Sequence, residues 1–219
     1  MSKAKISARR RNLCVAFTLV LVAAASIVVD RMFFRTPVRM DSREVCDGNL
    51  LPSEDSGPVN RLLPVGGIVT SEWAERPGRN GYAASCHIGV DGEHVLSITV
   101  SAFDGSESFW RGQLRHLDGL DLKVAKPFDY GAVGLSWKDT AAIYQPCRTQ
   151  EEGYGSDRRV DSPYQYVRAA LGPDVSVKDD RFREDLVFLA SRMLFLAQAP
   201  SGCQKEGVLK PPGAIEFHD

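Results

Sequence analysis

The rhythm of apolar and polar positions divides the chain into unlike segments. From Leu13 to Val29 every side chain is apolar or small, apart from the hydroxyls of Thr18 and Ser26. At ~1.5 Å rise per residue that run lies at the lower edge of what spans a hydrocarbon core about 30 Å thick. It predicts one transmembrane helix over 13–29. Ala23-Ala24-Ala25 would also serve as the small-residue exit of a signal peptide, so cleavage is the rival reading.

Beyond it the rhythm shortens. Leu50 to Leu63 is a candidate short helix, interrupted by Pro52 and Pro58. Gly66 to Trp73 reads as a strand. Tyr82–Val90 and His94–Ala102 alternate with period two about Asp91-Gly92, the clearest hairpin signal in the chain. A two-residue loop would put Cys86, Ile88 and Val90 on the face opposite Leu96, Ile98 and Val100. A three-residue loop puts all six on one face. A single buried face fixes register, so the expectation is the odd-length loop with Gly92 left-handed.

Phe103 to Tyr130 reads as a long irregular stretch. A second hairpin, Gly131–Trp137 and Ala141–Cys147, turns at Lys138-Asp139-Thr140. The same odd-loop logic places Val133, Leu135, Trp137, Ala141, Ile143 and Cys147 together. Thr149 to Asp161 is a polar loop. Tyr164 to Leu171 is a further strand, and Val175 and Val177 prolong the sheet. The period becomes helical from Arg181 to Gln198, where Phe182, Leu186, Leu189, Met193 and Leu196 form an apolar stripe. Asp179 or Asp180 caps its start, and Pro200 with Gly202 ends it. The fold class expected is α+β: a mainly antiparallel sheet with a docked C-terminal helix, plus the N-terminal transmembrane helix.

Charge orients the segment. Lys3, Lys5, Arg9, Arg10 and Arg11 precede it without an acid, whereas residues 30–41 carry a net +1. Basic residues stay on the cytoplasmic side. The expected organisation is a cytoplasmic basic tail (1–12), the membrane helix (13–29), a juxtamembrane stalk (30–45), an extracytoplasmic domain (46–203) and a flexible tail (204–219). The first 29 residues hold five of the 27 basic side chains and none of the 28 acidic ones, which leaves the rest at −6. An acidic domain argues against nucleic acid as a partner. The bilayer, through residues 13–29, is the partner implied, with an unidentified envelope component beyond it.

Four of the five cysteines, Cys46, Cys86, Cys147 and Cys203, lie past the apolar run. Their spacing excludes a CxxC redox pair and ordinary zinc-finger geometry. An even number in an oxidising compartment reads as two disulfides. Three connectivities are open, of which Cys46–Cys86 with Cys147–Cys203 is favoured because it closes two sequential loops.

Candidate chemistry is sparse. No GxSxG elbow, HExxH or Walker loop is present. His87 and His94 flank Asp91 and Glu93, but the preferred register points the two imidazoles to opposite faces, so no metal site is assigned. His116 and His218 have no assignable partner. Asp104-Gly105-Ser106-Glu107-Ser108 has the content of a calcium loop without the alternation of an EF-hand, and reads as a turn. Glu54-Asp55, Glu151-Glu152 and Asp179-Asp180 read as solvated faces or caps. Trp73, Trp110 and Trp137 read as core. No catalytic residue and no cofactor is assigned.

Cys46 before Leu50-Leu51-Pro52, a strand with Ala84-Ser85-Cys86-His87-Ile88, a strand ending Gln145-Pro146-Cys147, and a long helix closing on Gly202-Cys203 together resemble uncharacterised exported proteins of actinomycetes. There is a fainter similarity to actinomycete surface lipoproteins, from which this chain departs by lacking a lipobox cysteine. The resemblance spans roughly residues 44–204 and implies a membrane-anchored or secreted α+β domain with two Cys pairs. The functional expectation is a single-pass cell-membrane protein, N-terminus cytoplasmic, whose extracellular domain is a non-catalytic envelope binding module. The alternatives are a small extracytoplasmic hydrolase using acidic residues from the 103–130 and 148–162 loops, or a protein secreted after cleavage.

Overall fold

The computed structural model describes residues 39–51, 55–76, 82–147, 163–177, 179–201 and 215–218. The expected membrane helix lies outside them. Among the described residues no helix is long and apolar enough to cross a membrane.

One antiparallel sheet organises the domain. Its strands are β1 (Val69–Arg76), β2 (Ala83–Val90), β3 (Glu93–Asp104), β4 (Lys126–Phe128), β5 (Val133–Ser136), β6 (Thr140–Pro146) and β7 (Pro163–Leu171). They lie in the order β1-β2-β3-β7-β6-β5-β4. Two meanders, β1–β3 and β4–β7, thus meet where β3 pairs with β7. The helices are α1 (Gly57–Leu62), α2 (Glu107–His116) and α3 (Arg181–Ala197).

The main core lies on one face. Cys86, Ile88, Leu96, Ile98, Val100, Val167 and Ala169 pack there against Leu186, Leu189, Ala190 and Met193 of α3. Helix α3 is buried well beyond its apolar stripe, Asp185, Ser191 and Arg192 included. It packs on β3, β6 and β7 and against α1, and its Arg192 donates to the carbonyl of Leu50 in the N-terminal segment, whose Leu50 and Leu51 are fully buried. That segment reaches further than the expected boundary at Cys46: Met40 and Val45 are also buried, and Met40 exchanges hydrogen bonds with Ser56 and Asn60. Helix α1 is shorter than the Leu50–Leu63 expectation. It starts at Gly57, whose N–H is accepted by Asp55, with Pro58 in the first turn where its missing N–H is harmless.

The other face carries a second core. Trp110 and Leu114 of α2 pack on Leu135, Trp137, Ala142, Tyr144 and Tyr164. This helix lies inside the stretch expected to be irregular. Ser106 caps it by accepting the Phe109 N–H at 3.4 Å, and Glu107 pairs with Arg111 one turn on at 2.7 Å. The Asp104–Ser108 stretch is therefore a strand end and a helix start. The signal was present: Trp110 and Leu114 stand four apart behind a serine cap.

Both hairpins differ from expectation, for opposite reasons. In β2–β3 the chain turns in two residues, with Asp91 at φ 54° and Gly92 at φ 84°, the left-handed pair that Asp-Gly favours. Val90 pairs with Glu93 and Gly89 with His94, yet Ile88 pairs with Leu96. Val95 is an extra residue, a β-bulge. The bulge brings Ile88, Leu96, Ile98 and Val100 onto the one buried face, the result expected from a longer loop. In β5–β6 there is no such correction: Ser136 pairs with Ala141 and Leu135 with Ala142 around a two-residue loop. Val133, Leu135 and Trp137 face α2, whereas Ala141 and Ile143 face α3. These strands are buried on both faces, so the single-face rule has no purchase there.

Two further expectations change. Val175 and Val177 pack on the core from the β7–α3 connection and do not extend the sheet. Within the expected tail, Ile215–His218 run along β4, bridging Phe217 to Phe128. Residues 202–214 lie outside the described residues.

Candidate functional site

The cysteines are the best-defined sequence-predicted feature. Cys46 and Cys86 form a disulfide and are both fully buried. The bond fastens the N-terminal segment to the centre of β2. There Cys46 and Asp47 adopt left-handed backbone, and the Ser71 hydroxyl accepts the Cys46 N–H at 2.7 Å. Cys147, at the end of β6, is also disulfide-bonded. Cys203 lies outside the described residues.

A cleft opens at the turn end of the first meander, with a volume of about 550 Å³. Three connections build it. The α1–β1 connection brings Leu62, Leu63 and Val65, the β2–β3 turn brings Val90 and Val95, and the β7–α3 connection brings Val175, with Phe182 from α3. The bulge matters here, because it puts Val95 and Leu96 both on the inward face and leaves Val95 4% exposed. Carboxylates of Asp91, Glu93 and Asp174 line the same cleft. Asp91 also fastens two of its walls: its carboxylate accepts the Ile68 N–H at 2.8 Å, and its own N–H goes to the Ile68 carbonyl at 2.9 Å. Gly67, at φ 99°, passes so close that a Cβ there would meet Asp91 Oδ2 and Val90 Cγ1 at 2.5 Å. Val65 and Ile68 nearby are 51% and 77% exposed. A concave apolar site of this size suits a small molecule.

The polar face of β1–β3 adjoins the cleft. Here the structure overturns the expectation that His87 and His94 diverge. The two-residue turn pairs His94 with Gly89, so its ring falls on the same face as His87, and the ring centroids are 5.6 Å apart with planes tilted 57°. The Ser97 hydroxyl lies 3.2 Å from His87 Nδ1, and Glu72 stands opposite His87 on β1. Partial burial, and then the neighbouring His87, hold the His94 imidazolium below its ordinary value.

The other singled-out residues are spread. His116 ends α2, and His218 Nε2 meets Asp129 at 2.8 Å. Trp110 and Trp137 are buried and Trp73 packs at the edge of the main core. Asp179 accepts the Arg181 N–H at the start of α3. Glu151 and Glu152, with the rest of the 148–162 loop expected to supply a hydrolytic carboxylate, lie outside the described residues. Sequence reading missed one polar group: Tyr166 donates to Asp118 at 3.0 Å, and Arg168 pairs with the same carboxylate at 3.2 Å. Burial and then Asp118 push the Tyr166 phenol far up, which keeps it a neutral donor.

The class defined by these features is a single-sheet α+β domain, stapled by disulfide, with an apolar cleft at one end. No known protein family, curated protein or solved structure matches the chain.

Proposed function

We infer that the chain is a membrane-anchored extracytoplasmic protein whose domain is a non-catalytic binding module of the cell envelope. Support for the location comes from the basic block, the apolar run to Val29 and the buried Cys46–Cys86 bond, which suits an oxidising compartment. The observation that carries the binding role is the cleft between the β2–β3 turn and α3. Its apolar walls and three carboxylates complement a small apolar molecule bearing a positive charge.

The test uses the purified full chain and the fluorescent apolar cation berberine as probe. Saturable one-site binding is expected. Val65→Arg, which places a cation at the exposed edge of the cleft, should weaken it about tenfold, or ~1.4 kcal/mol. Absence of saturable binding, or binding indifferent to Val65→Arg, would overturn the reading. Location is tested separately: protease added to intact cells should cleave the C-terminal bulk. A mature chain starting at Ser26 would replace anchoring by release.

A further inference from the structure

We propose that His87 and His94 form a two-imidazole site for a late first-row divalent cation, copper(II) foremost, on the polar face of the first meander. The site adjoins the apolar cleft, whose lining includes His94, but does not depend on the cleft's role. Three observations converge on it. First, the spacing fits. Two imidazoles bound to one ion through M–N bonds of ~2.0–2.1 Å hold their ring centres about 4.5–6.5 Å apart, depending on the angle at the metal. The observed separation is 5.6 Å, and the 57° tilt is not that of stacked rings. Second, one ring is oriented. Ser97 Oγ lies 3.2 Å from His87 Nδ1. An Nδ1–H donated to that hydroxyl leaves the Nε2 lone pair free for a metal, which is how the non-coordinating nitrogen of a metal-bound histidine is commonly held. Third, the pairing is built into the backbone. A plain two-residue hairpin would have sent Leu96, Ile98 and Val100 away from the core. The bulge at Val95 repairs that beyond His94, so the two-residue turn that pairs His94 with Gly89 and puts it on the His87 face is kept.

The chemistry selects the ion class. Imidazole nitrogen suits copper, nickel and zinc, and at a given nitrogen site copper(II) binds most tightly of these. Two protein ligands leave further positions for water or an external ligand. Glu72, opposite His87 on the same face, adds a negative charge beside the cation.

The experiment titrates copper(II) into the full chain, purified in detergent micelles without a polyhistidine tag. Paramagnetic broadening of imidazole proton resonances is followed across the four histidines. His87 and His94 should broaden together at substoichiometric copper, before His116 and His218. His87→Phe and His94→Phe should each weaken binding about a hundredfold, and Ser97→Ala about tenfold. Broadening that begins at His116 or His218, or that spares either ring of the pair, would overturn the site. That readout uses the unmodified protein, so it does not depend on the variants folding.

Discussion

Arg61 and Asp185 stand 124 residues apart in the chain and are joined by two hydrogen bonds, Nε to Oδ2 at 2.9 Å and Nη2 to Oδ1 at 2.6 Å. The pair fastens α1 to α3. Its halves are unequal, because the Asp185 side chain is 6% exposed and that of Arg61 48%. Burial pushes the Asp185 carboxyl above its ordinary value, and Arg61 restrains that rise. Ionising a carboxyl whose folded value is raised weakens folding. Its contribution is therefore most favourable below the unfolded value and is lost as pH climbs through the folded one. Arg61→Ala should destabilise the protein at neutral pH by about 1–3 kcal/mol, because it leaves a buried carboxylate unpaired. The deficit should shrink as the medium is acidified below the carboxylate range. Chemical denaturation of both proteins across pH checks this; a deficit that grows on acidification would contradict it.

The Cys46–Cys86 bond closes a loop with a sequence separation of 40. Loop entropy alone assigns it about 4 kcal/mol. Replacing both cysteines by alanine should lower the unfolding free energy by roughly that amount. The N-terminal segment should lose protection first, since the bond fixes it to β2. Hydrogen exchange at Val45–Leu51 measures this directly, and unchanged protection there would refute the staple.

Two glycines near the first hairpin should respond unequally. Gly92 has a positive φ, but a methyl group added there would meet nothing within 4 Å, so Gly92→Ala should cost only the left-handed backbone penalty, about 1–2 kcal/mol. At Gly172 a Cβ would be driven into the His94 carbonyl oxygen, on the strand whose Val95 carbonyl accepts the Gly172 N–H at 2.8 Å. Gly172→Ala should therefore cost more, and it should alter the His94 ring resonances as well. Equilibrium unfolding gives the order, and the reverse order would be incompatible with this packing.

Trp110 is fully buried, and its indole N–H has no acceptor among the described residues. Trp110→Phe removes that orphan donor, which offsets part of the lost volume by about 1–3 kcal/mol. A net loss below about 1 kcal/mol is expected, against about 3–5 kcal/mol for Trp110→Ala. Trp137 differs, since its indole donates to the Asp121 carbonyl at 2.8 Å. Trp137→Phe should therefore be the more damaging phenylalanine substitution, by about 0.5–1.5 kcal/mol in unfolding experiments.

Local pattern by itself determined much of this domain. Alternation along β2, β3 and β7 marks strands, the stripe from Phe182 to Leu196 marks α3, and Asp91-Gly92 marks a tight turn. These signals are legible because period and turn chemistry are properties of neighbouring residues. Helix α2 was legible as well, in its serine cap and the Trp110–Leu114 spacing, but the short segment was hidden among glycines and acids.

Tertiary structure decided which faces meet. Turn geometry asks for two residues at each hairpin, and that demand is the same in both. Burial differs. The first meander has one apolar face, so a bulge at Val95 restores register beyond the turn, while the turn itself sets His94 on the His87 face. The second is covered by α2 on one side and α3 on the other, so no bulge is needed and Leu135 parts from Ile143. Whether one face or two will be buried depends on helices distant in the chain. For that reason the cleft, the histidine pair and the Arg61–Asp185 bond emerge only from the folded whole.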